Sequence, residues 1–75
     1  MRIYLLTQAE NHNFDTFNSA VVVADSCEDA RAVLVEDRRF THGTWCEIGK
    51  ESCYEIGIAN EGEIRGIVCA SYRAG

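Results

Sequence analysis

Apolar and polar positions change their period along this chain, and each change marks an element. Ile3 to Thr7 is an apolar run of strand length, rich enough in β-formers to be partly buried on both faces. Glu10-Asn11-His12-Asn13 breaks it with turn-forming residues. Asn18 to Ala24 carries three consecutive valines, whose branched β-carbons suit a pleated sheet better than a helix. The two runs predict an antiparallel pair joined by a loop of about ten residues, longer than a tight hairpin needs. Phe14 and Phe17 sit in that loop and are expected to fold back onto the sheet.

At Asp25-Ser26 the period becomes helical. Ser26 followed by Asp29 approximates a capping box, with Asp in place of the preferred Glu. Glu28 and Asp29 in the first turn complement the helix dipole, and Arg38 and Arg39 fall at or just past its other end. Cys27, Ala30, Val33 and Leu34 form a narrow apolar stripe, whose spacing Asp37 continues. The spacing predicts a helix from about Ser26 to Glu36, with residues small enough to lie close against a sheet.

Thr41-His42-Gly43-Thr44 is a polar loop leading into Trp45-Cys46-Glu47-Ile48, a short strand or strand-like connection. Gly49-Lys50-Glu51-Ser52 breaks the pattern again. Cys53 to Ala59 is the next strand, with Tyr54, Ile56 and Ile58 on one face and Cys53, Glu55 and Gly57 on the other. Asn60 to Glu63 is a turn, and Gly66 to Tyr72 returns antiparallel. The order is β-β-α-β-β: an α+β fold with one antiparallel sheet of about four strands and one helix packed on one face. The last strand ends almost where the sequence does, so residues 1–75 are expected to form a single self-contained domain.

Composition narrows the classes. Hydrophobic residues are 47% and charged residues 25% of the chain, the balance of a folded protein, and at this length the core is thin. The net charge of -5 argues against direct nucleic-acid binding, because phosphate contacts need clustered Lys and Arg. The longest apolar run, Ala20 to Ala24, is too short to span a membrane. The N-terminus has one positive charge and no small-residue cleavage site, so it reads as a strand rather than a signal peptide, and the expected location is a cytoplasm.

Cys27, Cys46, Cys53 and Cys69 contain no C-x-x-C knuckle. His42, Cys46 and Cys53 offer three soft ligands and His12 a fourth, but Cys27 on the helix stripe and Cys69 in the last strand read as small core hydrophobes. Disulfides are disfavoured in a cytoplasmic protein, so buried thiols are expected, with no metal and no cofactor. A Cys–His nucleophile would need His42 within reach of Cys46, which four residues across a loop junction do not fix. Glu28/Asp29, Glu36/Asp37 and Glu61/Glu63 are read as solvated pairs, and there is no glycine-rich phosphate loop.

What remains is surface. Arg38, Arg39, Phe40, His42 and Trp45 concentrate basic and aromatic groups just after the helix, residue types enriched at interface hot spots. Phe40 and Trp45 also serve to cover the open end of the core. Glu28 and Asp29 are a second candidate contact, suited to a basic channel.

The ordered set Ile3-Tyr4-Leu5-Leu6-Thr7-Gln8, Phe14 to Phe17, Ser19 to Ala24, Glu28-Asp29-Ala30-Arg31 and Gly66 to Tyr72 with Ala74-Gly75 resembles a family of small phage and prophage proteins of unassigned function. The chain is shorter than many of those relatives between the helix and the third strand. The Ala-Arg within the helix and Phe40-x-His42-Gly43-Thr44 after it are similar to a small type I-F anti-CRISPR family. The resemblance implies a phage-encoded, non-enzymatic protein that binds and inhibits a host protein complex, such as a CRISPR effector, by steric contact. The alternatives are a phage structural or self-associating module using strand edges, with a homodimer as one form, and a small zinc- or thiol-dependent protein.

Overall fold

The computed structural model describes residues 1–11, 16–41, 43–47 and 49–73. Four strands, β1 (Arg2–Thr7), β2 (Thr16–Ala24), β3 (Ser52–Ile58) and β4 (Gly66–Arg73), form one antiparallel sheet in the order β3-β1-β2-β4. One α-helix, α1 (Cys27–Glu36), lies on one face, and a 3-10 turn (Arg38–Phe40) follows it. This is the α+β arrangement that the sequence predicts, with each of the four strands and the helix within two residues of its expected start and end. None of the helices among the described residues is long and apolar enough to cross a membrane.

Alternation in the central strands decides which face the helix covers. Tyr4 and Leu6 of β1 and Ala20, Val22 and Ala24 of β2 are buried with Ala30, Val33 and Leu34 of α1. Leu6, Val22 and Leu34 are completely buried, and each such side chain contributes about 1.5–3 kcal/mol relative to exposure. Phe17, Phe40 and Trp45 close one end of this core: Phe17 stacks on Phe40 at 4.4 Å, and Trp45 meets Phe40 edge-on at 5.3 Å. Ile3, Leu5, Val21 and Val23 fall on the opposite face, which has no helix over it.

The helix starts as its sequence suggests. The Ser26 hydroxyl accepts the Asp29 N–H at 3.0 Å, and the Asp29 carboxylate accepts the N–H of Asp25, one residue ahead of the N-cap, also at 3.0 Å. Its two flanks are then fastened to opposite edges of the sheet. On one flank Cys27 and Arg31, one turn apart, reach the β3 side through a Cys27–Cys53 disulfide and an Arg31–Glu51 ion pair. On the other, Asp29 and Glu36, two turns apart, share the guanidinium of Arg65 from the β3–β4 connection, at 2.9 and 3.3 Å.

Several expectations are corrected. Cys27 and Cys53 are a disulfide rather than two buried thiols, because α1 and the β3 edge strand bring together residues 26 apart in sequence. Phe17 belongs to β2, which begins at Thr16, and its N–H donates to the Thr44 carbonyl at 2.7 Å. Trp45 to Glu47 form no strand, since the Trp45 ring turns into the core instead of alternating. The strict alternation expected in β3 breaks at Ile56: Glu55 lies opposite Tyr4 but Gly57 opposite Ile3, leaving one residue extra. Phe14 lies outside the described residues.

The disulfide gives a direct test. In denaturant without reductant, iodoacetamide should label Cys46 and Cys69 only, and reduction should add Cys27 and Cys53. Replacing Cys27 and Cys53 together by Ala should lower the unfolding free energy by about 3 kcal/mol in a urea titration, as loss of a loop-closing crosslink implies.

Candidate functional site

The segment from Arg38 to Glu51 carries most of the groups that the sequence singles out, and one carboxylate organises it. Glu51 immediately precedes β3, and its side chain is fully buried. A buried carboxylate is costly unless its lone pairs are filled. Here Arg31 Nε donates to Oε1 at 2.6 Å and the Gly49 N–H at 3.0 Å, while the Trp45 indole N–H donates to Oε2 at 3.2 Å. Gly49 adopts φ 95°, which lets the chain turn back over the carboxylate at no side-chain cost. The Cys46 thiol also points at Oε2, at 3.7 Å.

Two amides fasten the same region to the β1–β2 connection. The buried Gln8 accepts the N–H groups of Glu10 and Asn11 and donates to the carbonyls of Asn11 and Phe17. Asn11 donates in turn to the carbonyls of Gly43 and Trp45 at 3.0 and 3.1 Å. The Thr44 hydroxyl donates to the Arg39 carbonyl. Sequence reasoning read Gln8 as the end of a strand, Asn11 as a turn former and Glu51 as a breaker. Each is instead a polar anchor whose partners lie in another element, a role that local pattern does not signal.

Of the candidate contact residues, Phe40 and Trp45 lie in the core, 5% and 4% exposed, and Arg38 and Arg39 are exposed. Arg39 is engaged by the Asp37 carboxylate at 2.7 Å, which also accepts the Arg39 N–H and so caps the 3-10 turn. That pairing holds the Asp37 carboxyl below its ordinary pKa and raises that of Arg39. Arg38 makes no side-chain ion pair or hydrogen bond among the described residues. His42 lies outside the described residues, as does His12.

Glu28 and Asp29 have different surroundings. Asp29 is taken up by Arg65 and by the Asp25 N–H, which together lower its pKa. Glu28 is exposed and without an ion-pair partner among the described residues, on an outward ridge that continues through Ala32 and Val35. Asp25, Glu47, Glu61 and Glu63 are likewise exposed and unpaired. Arg2, Arg31, Arg39 and Arg65 are all neutralised by carboxylates, so the uncompensated charge on the surface is predominantly acidic.

The thiol chemistry weighed from sequence meets specific obstacles. Burial, reinforced by the Glu51 carboxylate, pushes the Cys46 thiol up to about 11, which keeps it protonated. Cys53, one of the soft ligands in the His42/Cys46 reading, is bonded to Cys27. No group of three or more metal-binding side chains occurs among the described residues. Comparison with protein-family models, curated proteins and solved structures gives no match to this chain.

Two measurements check this geometry. Glu51→Ala should cost about 3 kcal/mol in urea unfolding followed by Trp45 fluorescence, because it strands Arg31 and two N–H donors, while Glu51→Gln should cost less. Native Cys46 should react with iodoacetamide at pH 8 about a hundredfold more slowly than the unfolded chain. Because its folded pKa is raised from 9.0 to about 11, the Cys46 contribution to stability is complete below pH 9 and is lost as pH rises through 11.

Proposed function

We propose that this chain is a non-catalytic phage protein that binds and inhibits a host defence complex, with a CRISPR effector as its target. One observation carries the reading. The groups that could do chemistry (Glu51, Cys46, Asp29 and the Cys27–Cys53 pair) are each engaged in holding the fold. The groups left over are surface groups. Glu28, Ala32 and Val35 form the outward ridge of α1, with Val35 48% exposed, and Arg38 follows at its end.

The predominance of unpaired carboxylates favours a basic counterpart, and nucleic-acid channels of effector complexes are basic. Resemblance to small phage proteins and, after the helix, to a type I-F anti-CRISPR family supports the same class. Contact with such a complex places the protein in the host cytoplasm. There the Arg31–Glu51 pair and the Arg65 bridges hold α1 in place even where thiols reduce the disulfide.

The test is capture of a purified effector by the tagged protein, repeated with surface variants that retain the native circular dichroism spectrum. Glu28→Arg combined with Arg38→Glu should weaken capture by about tenfold or more. Undiminished capture by that double variant would remove this surface from the account.

A further inference from the structure

The sheet face opposite α1 is apolar from edge to edge across its middle, with Ser52, Thr7, Ser19 and Ser71 forming a polar row at one end. Its centre is Ile3 and Leu5 of β1 with Val21 and Val23 of β2. Tyr54 stands opposite Leu5 on the β3 edge, and Cys69 opposite Val21 on the β4 edge. Bulges at both edges add to this face: Ile56 is the extra residue of β3, and Val68, where β4 shifts register, lines one cleft with Ile3, Val23 and Ile58. The helix cannot move round to cover these residues, since both its flanks are tied down on the other side.

The geometry points to a second copy of this chain as the occupant, two sheets packing face to face with the helices outside. The first argument is area. Tyr54, Ile56, Ile58 and Val68 are 56, 54, 75 and 63% exposed. With the half-buried Ile3, Leu5 and Val21 and the exposed Cys69 they present on the order of 600 Å² of apolar surface, at the upper end of the largest patch a typical monomer leaves bare. Two such faces bury roughly 1,200 Å², the lower end of the range for specific interfaces.

The second argument is shape. A two-fold axis along the strands lays each β3 edge over the partner's β4 edge, so that the large Tyr54 ring meets the small Cys69 side chain and β1 lies over β2. Large-over-small pairing is what close packing of facing layers requires. The third is charge. The strand positions named here carry no charged side chain, which confines the repulsion of the net charge of -5 to the end of the face where Glu63 lines the cleft with Val23 and Val68. This inference is independent of the proposed target. It leaves the ridge of Glu28 and Val35 outward on both copies, which makes the dimer bivalent.

Sedimentation velocity over a concentration series is the test, with the reactivity of Cys69 as a second readout. A dimer is expected, with Cys69 protected from a maleimide at high concentration and labelled on dilution. Tyr54→Glu and Val68→Glu, each checked for native circular dichroism, should weaken dimerisation by tenfold or more, while Glu28→Arg should leave it unchanged. A monomer at every concentration would overturn the proposal. So would a dimer that both face variants leave intact, or a Cys69 labelling rate that ignores concentration.

Discussion

The seating of Trp45 and of the turn before the third strand depends on how the buried Glu51 carboxylate is satisfied. A charge removed from water must find partners, and Glu51 draws them from three places: Arg31 on the helix, the Trp45 indole in the loop and the Gly49 amide in the turn before β3. Those bonds pull an otherwise irregular segment over the end of the core. They seat Trp45 against Phe40, and Phe40 against Phe17. They also fix the chemical character of Cys46, whose thiol is kept protonated by burial and by the same carboxylate.

The helix is held by the same logic of opposed attachments. Cys27 and Arg31 on one flank and Asp29 and Glu36 on the other reach opposite sheet edges, so α1 can neither roll nor slide without breaking one set. A two-layer fold of this size has only one covered face. Fixing the helix over that face leaves the reverse of the sheet without a helix over it, with Tyr54, Ile56 and Val68 exposed, and it leaves the helix ridge free for contact. The polar groups with reactive potential serve this construction, and the proposed function rests on the surfaces they leave over.

The parts of this structure legible in the sequence are those set by local periodicity. The valines of β2, the Ser26 cap and the Ala30, Val33, Leu34 stripe each announce an element and its buried side. What escaped reading depends on contacts between residues far apart in the chain. Glu51 sits in a stretch rich in breakers, and nothing nearby shows that Arg31, 20 residues earlier, will meet it. Cys27 and Cys53 read as separate core thiols because their pairing needs the helix laid across the sheet. Arg65 lies between a turn and the last strand, where no local pattern points to Asp29, 36 residues away. The extra residues at Ile56 and Val68, which enlarge the bare face, come from strand register, which alternation alone does not reveal. Among the candidate contact residues, burial separates the exposed Arg38 and Glu28 from Phe40 and Trp45, whose rings lie in the core as their aromatic character suggests.

Inhibition by binding differs from inhibition by catalysis in its stoichiometry, and that difference tests the central claim most directly. A purified CRISPR effector at a concentration well above the binding constant is titrated with this protein, and residual target-DNA binding is read at each ratio. The account predicts a linear fall that ends at a fixed molar ratio and does not deepen with longer incubation. Inactivation of many effectors by each molecule, progressing with time, would contradict a non-catalytic binder, and a flat response at large excess would contradict the effector as its target.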